Sequence, residues 1–326
     1  MDGRLERVAV SLAPPTRHWC AFVLAVGVAI AWSQSAAGVA PEMLDFALEN
    51  PAPGVYVHYG RQAEMTRANF GDVANLGFVV GTRCVAVIDT GGTFAVGRAL
   101  RQAIRRIATV PVCYVINTHV HPDHVFGNAA FTDDHPQFIG HAHLADAMLR
   151  RGPNYLNALR RDLGEVAQQS AIVFPTRSIA TTEELDLGGR VLSLHAWPTA
   201  HTDTDVTVFD DASQTLWLGD LLFVDHIPVL DGNLRGFLSA IAELRTVRAN
   251  LAVPGHGRAL AWPEAIAPEE RYLNGLLANV RAAIKAKRSL AETLATVEGE
   301  REQWLLFDDF HKRNVTAAYA ELEWDN

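Results

Sequence analysis

The sequence predicts an α/β (α+β) protein with a four-layer αββα architecture, in which two mixed sheets pack face to face between outer helices. Two observations support this prediction. Strand-like apolar runs bounded by glycine and polar residues occur in two passes along the chain, and helical spacing of apolar residues follows within each pass. The chain has 326 residues, 49% of them hydrophobic, which is enough to bury a sizeable core.

The first pass predicts a β-rich start followed by a β-α-β unit. Predicted strands cover residues 55–59, 78–80, 84–88 and 112–116. Between the last two, Val96, Leu100, Ile104 and Ile107 form one stripe of a helix over residues 94–107.

The second pass begins with two predicted helices between residues 141 and about 166, separated by a break at residues 151–153 (Arg-Gly-Pro). Further strands are predicted at residues 171–174, 191–196, 206–209 and 216–218. A helix is predicted over residues 238–251 and a short strand over 251–253, and helices fill most of the remainder.

The N-terminal segment has the order of a Sec-type signal peptide, here predicted to cover residues 1–37. Its basic, apolar and small-residue parts are, in order, Arg4, Arg7 and Arg17, residues 19–32, and residues 35–37. Cleavage would start the mature chain near Gly38 and give a soluble periplasmic protein whose residues 38–326 form one domain. The alternative is an uncleaved anchor, because the uncharged stretch continues to Pro41.

The charge of the chain indicates which kinds of partner to expect, and the placement of its cysteines indicates whether they form a disulfide. The formal net charge is −9 and the basic residues are scattered, so we expect a small-molecule substrate and no nucleic acid partner. Cys84 and Cys113 both lie in apolar strand-like runs. This placement favours buried free thiols over a disulfide.

A dense group of potential metal ligands directly follows the predicted strand at residues 112–116. Within six residues the chain offers His119, His121, Asp123 and His124, the nitrogen and oxygen ligands that zinc prefers. His119 and His121 can point to the same side of an extended segment, while Asp123 and His124 begin the next turn and can reach a second ion. One loop can therefore serve two metals.

Residues 118–124 (Thr-His-Val-His-Pro-Asp-His) resemble the signature of the metallo-β-lactamase superfamily. Four further motifs, one before this segment and three after it, resemble the other motifs of the family and occur in the family's order. Their key residues are Asp89, His201, Asp220 and His256. The resemblance implies a metallo-β-lactamase sandwich for residues 38–326, with a C-terminal helical extension.

Carried over residue by residue, the resemblance implies two zinc ions, with iron as an alternative metal. One zinc would be bound by His119, His121 and His201, and the second by Asp123, His124 and His256. Asp220 would bridge both ions, Asp123 would also be catalytic, and Asp89 would support the ligands without binding metal. A hydroxide held between the two ions would attack an ester, thioester or lactam carbonyl.

Three departures separate this chain from other branches of the family. Asp220 stands where the commonest zinc β-lactamases have a cysteine ligand, which argues against broad-spectrum lactamase activity. His121 stands where flavin-partnered diiron oxidases have glutamate. The interval from Asp220 to His256 leaves no room for the inserted domain of RNA-processing relatives.

Residues 119–131 and 224–232 look similar to the quinoprotein relay system zinc metallohydrolases. This resemblance implies an exported bacterial hydrolase linked to a dehydrogenase system that uses pyrroloquinoline quinone (PQQ). The alternatives are a mononuclear iron enzyme resembling persulfide dioxygenases, and class B β-lactamase-like activity. His226, six residues after Asp220, is a predicted substrate contact, whereas His141 and His143 are interpreted as a structural or surface pair.

Overall fold

The protein was analysed as a computed structural model that describes residues 46–324. The predicted signal peptide and the predicted mature start at Gly38 lie outside the described residues. Among residues 46–324 the structure contains no helix long and apolar enough to cross a membrane.

The first sheet has seven strands whose spatial order follows the sequence. Its strands are β1 (Glu49–Ala52), β2 (Val55–His58), β3 (Leu76–Val80), β4 (Val85–Ile88), β5 (Val112–Ile116), β6 (Gln137–His141) and β7 (Arg177–Ile179). Strands β1 to β4 pair antiparallel, and β4 to β7 pair parallel. The sheet is therefore mixed, as predicted.

The second sheet has six strands, again in sequence order. They are β8 (Thr182–Asp186), β9 (Val191–Ala196), β10 (Val206–Asp210), β11 (Thr215–Phe223), β12 (Leu251–His256) and β13 (Leu260–Ala261). Only β11 and β12 pair parallel, and all other neighbours are antiparallel.

Seven α-helices and several short 3₁₀ turns connect or cover these strands within the described residues. The helices are α1 (Phe94–Ile107), α2 (Pro122–Val125), α3 (Leu144–Leu163), α4 (Leu234–Leu244), α5 (Ala267–Lys285), α6 (Leu290–Thr296) and α7 (Phe307–Leu322).

The four layers follow from three apolar clusters. Between the sheets, Ile88 of β4 belongs to the same buried cluster as Leu194 of β9 and Trp217 of β11. On the outer face of the first sheet, α1 packs most of its predicted stripe against β3 and β4, but Ile107 of that stripe is 41% exposed. Helices α4, α5 and α7 share a cluster with the other face of β11. The predicted αββα sandwich is confirmed.

Helix α1 has the predicted bounds because its signals are local. Thr93 caps its start by accepting a hydrogen bond from the backbone N–H of Val96, and the helix ends at Ile107, before Pro111. Its buried face contains Val96, Leu100 and Ile104. Periodicity and capping therefore suffice to define it.

The predicted break at residues 151–153 is wrong, because α3 runs without interruption through Pro153. Gly152 is buried against the side chain of Ile172, so tertiary packing holds the helix across the proline. Leu149, whose carbonyl loses its helical partner, is 66% exposed, and water can satisfy that group.

The strand predicted at residues 171–174 is also wrong, since those residues form an irregular segment and β7 begins at Arg177. Helix α4 starts earlier than predicted, at Leu234, where Asn233 caps the backbone N–H of Gly236. Strands β1, β6, β8 and β13 were not predicted. Strand β8 is a charged edge strand, which lacks an apolar run.

The prediction of free thiols is wrong, because Cys84 and Cys113 form a disulfide. Cys84 directly precedes β4 and Cys113 lies in β5, the neighbouring parallel strand, and their Cα atoms are 5.6 Å apart. Each cysteine is in an apolar strand-like run, as the sequence indicates. Their proximity depends on the register between the two strands, which the sequence does not reveal.

Candidate metal centre

One loop carries four of the predicted ligands. It leaves β5 at Ile116 and turns into α2, whose first residue is Pro122. Proline is favoured there because its fixed φ suits a helix start and its missing N–H costs nothing. Asp123 and His124 therefore lie in the first turn of a short helix, as predicted.

The other three ligands come from the second sheet and its loops. Asp220 lies within β11, His256 ends β12, and His201 lies in the turn between β9 and β10. The parallel register of β11 and β12 places Phe223 opposite His256. The two sheets thus deliver their ligands to one common end of the sandwich.

The seven residues form two adjacent groups whose potential ligand atoms all lie within 4.8 Å of one another in each group. Group one is His119, His121, His201 and Asp220. Group two is Asp123, His124 and His256.

The carboxylate of Asp220 lies between the two groups. Its Oδ2 is 3.4 Å from Nε2 of His201 in group one and 3.5 Å from Nε2 of His256 in group two. Its Oδ1 is 3.2 Å from Nε2 of His124. Asp220 is therefore placed to contact ions in both groups.

Backbone carbonyls fix two of the imidazoles. Nδ1 of His201 donates to the carbonyl of Val229 at 2.7 Å, and Nδ1 of His256 donates to the carbonyl of Val73 at 3.0 Å. A carbonyl only accepts, so both Nδ1 atoms carry hydrogen. In its neutral form each of these rings therefore offers the lone pair of Nε2 to the site.

Carboxylates fix two more of the ligand imidazoles. Nδ1 of His124 donates to Oδ2 of Asp89 at 2.8 Å, and Nε2 of His121 donates to Oδ2 of Asp231 at 3.1 Å. His121 consequently turns its Nδ1 towards the site, where it lies 3.0 Å from Nε2 of His201. Two unprotonated nitrogens at that distance repel each other unless a cation or a proton lies between them.

Besides holding His124, Asp89 supports the loop that carries the four ligands. It accepts from the backbone N–H of Thr118 at 2.8 Å and from the Thr118 hydroxyl at 2.7 Å. Because that hydroxyl donates its hydrogen to Asp89, Nδ1 of His119, 3.0 Å away, is the donor to its oxygen. Asp89 itself is outside both ligand groups.

The atoms aimed into the site fit bound cations. Nε2 of His119, Nε2 of His124 and Oδ1 of Asp220 are buried without a hydrogen bond. Leaving such groups unpaired costs about 1–3 kcal/mol each, and one metal ion in each group would satisfy all three. A set of imidazole and carboxylate ligands suits zinc or iron.

The comparisons with known proteins agree with this geometry. The protein-family model of the metallo-beta-lactamase superfamily matches residues 70–256. The chain belongs to this superfamily. It is therefore an enzyme of a family of metal-dependent hydrolases, with His and Asp groups able to bind metal.

Solved structures show the same fold. A metallo-beta-lactamase from Pontibacter korlensis has a TM-score of 0.58 and 19% identity, over 70% of this chain and 99% of its own. A structure of TMB-1 has a TM-score of 0.54 and 18% identity, over 70% of this chain and 97% of its own. A search of curated proteins returned no match.

Burial alone would lower the pKa of His124 and of His256, but the Asp220 carboxylate raises the first well above its usual value and the second to about 9. In group one burial prevails. It lowers the pKa of His201 to about 4 and the pKa of His119 well below its usual value. Burial alone would raise the pKa of Asp220, but the neighbouring His256 and His124 hold it well below the ordinary range. Group one thus presents neutral imidazoles and a carboxylate.

Sequence reasoning missed Asp231, which also accepts from Nη1 of Arg151 at 2.7 Å. It precedes Gly232 in the loop after β11, a pattern that any turn can show. Nothing in the sequence distinguishes it from an ordinary turn residue. Its role depends on α3, which brings Arg151 to the rim of the site.

His226 is buried beside group two without belonging to either group. Its ring centroid is 5.0 Å from that of His256 and 5.4 Å from that of Phe310 in α7. Its Nδ1 donates to the carbonyl of Ile227 at 2.6 Å, and burial lowers its pKa to about 4. Its Nε2 is therefore a hydrogen-bond acceptor.

His141 and His143 form a pair outside the two ligand groups. Their ring centroids are 4.7 Å apart, and the backbone N–H of His143 donates to Nδ1 of His141 at 3.0 Å. Nδ1 of His143 lies 3.2 Å from the carbonyl of Asp203. These contacts give the pair local hydrogen-bonding partners of its own.

Proposed function

We propose that this protein is an exported dinuclear zinc hydrolase that cleaves an ester, thioester or lactam bond of a small-molecule substrate. One observation carries the proposal: two separate groups of buried ligands share the carboxylate of Asp220. A site for a single ion would not need the three additional ligands of group two.

Two zinc ions bound in groups one and two would supply a hydroxide nucleophile at neutral pH and would polarise a carbonyl oxygen. The protein residues provide the conditions for this chemistry. With ions in both groups, the carboxylate of Asp220 would place negative charge beside each of them and would reduce their repulsion. The buried imidazoles of His119 and His201 remain neutral and available as ligands.

Substrate selectivity is proposed to depend on His226 and the residues around it. His226 and Phe310 pack together beside group two, and the guanidinium of Arg313 lies 5.1 Å from the Phe310 ring centroid. These residues combine an apolar surface, an acceptor nitrogen and a positive charge. Such a wall suits a partly apolar substrate with a donor or an anionic group.

Two independent observations support the proposed periplasmic location. The basic, apolar and small-residue order of residues 1–37 is typical of Sec export. The Cys84–Cys113 disulfide favours an oxidising compartment, which includes the bacterial periplasm. Within the periplasm we propose a functional link to a PQQ-dependent dehydrogenase system, supported by the resemblance of residues 119–131 and 224–232 to the quinoprotein relay group.

The decisive experiment is a metal count followed by two assays on defined metal forms. Elemental analysis of protein recovered from the periplasm should find two zinc ions per chain. Zinc-loaded protein should hydrolyse an activated ester, thioester or lactam. If it hydrolyses none of them while iron-loaded protein consumes oxygen with glutathione persulfide, the hydrolase proposal is wrong and the persulfide dioxygenase alternative is correct.

Two further measurements test the finer parts of the proposal. Replacing His226 by Ala should change the ranking of these substrates while both metals stay bound. Intact mass of the periplasmic protein should place its N-terminus near Gly38. Soluble cytosolic protein that still carries residues 1–20 would contradict export.

A further inference from the structure

The loop formed by residues 225–231, here called the support loop, orients two of the three imidazoles in group one. The carbonyl of Val229 accepts from His201, and the carboxylate of Asp231 accepts from His121. A ligand imidazole needs this second hydrogen bond to fix its tautomer and its ring orientation. The position of the support loop therefore determines the geometry of group one.

The C-terminal segment holds the beginning of the support loop. The backbone N–H of Leu305 donates to the carbonyl of Asp225 at 2.8 Å, and the N–H of Ile227 donates to the carbonyl of Leu305 at 3.1 Å. These bonds form a short parallel bridge between His226 and Leu305.

Asn314 of α7 holds the middle of the support loop. Its Nδ2 donates to the carbonyl of Pro228 at 2.6 Å, and its Oδ1 accepts from the N–H of Leu230 at 3.0 Å. These two bonds enclose Val229, the residue whose carbonyl holds His201. The remaining Nδ2 hydrogen is directed to the hydroxyl of Tyr272 in α5, 3.0 Å away.

Asn314 is fully buried, and each polar atom of its side chain has a partner. A buried amide that fits both a donor and an acceptor of one loop defines the loop's conformation more tightly than apolar packing does. Asn314 also lies well beyond residue 256, where the match to the superfamily ends.

We propose that Asn314 is a positioning residue for group one: through Pro228 and Leu230 it fixes the Val229 carbonyl, and thereby the orientation and metal affinity of His201. The inference rests on the proposed metal binding of group one. It makes the C-terminal helical extension a determinant of the metal centre, although α7 supplies none of the seven ligands.

The test compares Asn314→Leu with Val315→Ala in the full mature protein. Leucine has a similar size and removes all three hydrogen bonds, whereas Val315 is an equally buried neighbour in α7 that packs in the core cluster. Asn314→Asp serves as a second variant that keeps the acceptor for Leu230 and removes the donor to Pro228, in case the leucine variant does not fold.

Zinc affinities are measured by competition with a chromophoric chelator, and melting temperatures are measured with and without zinc. In the Asn314 variants one of the two zinc affinities should fall by about 10- to 100-fold, the range expected when the partner of a ligand is lost. The other affinity should change by less than about 3-fold. Excess zinc should restore activity, because the defect is in binding.

Val315→Ala should lower the melting temperature of the metal-free protein while leaving both zinc affinities unchanged. Equal zinc affinities in the wild type, Asn314→Leu and Asn314→Asp would overturn the inference. A wild-type protein that binds no zinc at all would instead overturn the proposed function.

Discussion

The two ligand groups use the same kinds of side chain, but they are supported by different parts of the chain. In group two, His124 is held by Asp89 directly after β4, and His256 is held by the Val73 carbonyl before β3. Both supports lie beside strands of the first sheet and are buried. In group one, His121 and His201 are held by the support loop.

The carboxylates that support the two groups also differ in solvent exposure. The side chain of Asp89 is 3% exposed, whereas that of Asp231 is 42% exposed and pairs with the partly buried Arg151. Water and salt weaken an exposed charged contact far more than a buried one. The comparison teaches that group two is supported by buried residues beside the first sheet, whereas two of the three imidazoles of group one depend on a loop.

Asp220→Ala should have the largest effect, because it removes the carboxylate that the two groups share. Metal content should fall from two ions towards one, and activity should fall on the order of 1000-fold, beyond the loss caused by disturbing a ligand's support. Elemental analysis and hydrolysis rates measure both effects. Asp203→Ala is the control, since Asp203 pairs with Arg150 and Arg151 at the rim. Equal metal content in the two variants would contradict the bridging role.

Removal of the disulfide should lower stability while sparing both groups. Cys84 and Cys113 lie near the starts of β4 and β5, whereas Asp89 and the ligand loop follow the ends of these strands. The double variant Cys84→Ala, Cys113→Ala should lose about 3 kcal/mol in free energy of unfolding. Without the bond, the unfolded chain is no longer closed into a loop across the 29-residue separation of the two cysteines, so its conformational entropy rises. Denaturant titration measures the loss. A drop in zinc content would show that the disulfide also positions the site.

Asp89→Asn and Asp231→Asn test the comparison directly. Asparagine tolerates the positive φ of Asp89, so its effect reports the lost acceptor rather than backbone strain. We expect Asp89→Asn to weaken zinc binding about 10- to 100-fold and Asp231→Asn to weaken it less than about 10-fold. Competition with a chelator measures both. A larger loss for Asp231→Asn would reverse the ranking of the two supports.

Asp134→Asn should give the smallest effect. Asp134 lies in the segment that follows α2. Burial alone would raise the pKa of Asp134, but hydrogen bonds from Arg101 of α1 lower it below its usual 3.8. A lowered folded-state pKa stabilises the protein above the unfolded pKa, and this stabilisation disappears as pH falls through the folded pKa.

The Asp134→Asn variant should thus lose about 1 kcal/mol of stability at pH 7, and the difference from the wild type should shrink as the pH falls below 3.8 and vanish below the lower pKa of the folded state. Unfolding curves at several pH values measure this. A difference that persists in acid would indicate a loss of packing rather than of charge pairing. Zinc content should be unchanged, because Asp134 lies outside both ligand groups.

The sequence by itself determined the features that depend on neighbouring residues. The bounds of α1 follow from its apolar period and its Thr93 cap, and the ligand loop follows from four ligand residues packed into six positions. The order of the remaining motifs predicted the sandwich that the family match confirms. Each of these signals is contained in a short stretch of chain.

Only the tertiary structure decided which distant residues meet. The Cys84–Cys113 bond depends on the register of two strands, and the continuity of α3 through Pro153 depends on packing against Ile172. The supports of the imidazoles, from Val229 to Asn314, are brought together across more than 80 residues of chain. A backbone carbonyl or a buried amide carries no local pattern, so its role arises only from the three-dimensional contacts that folding creates.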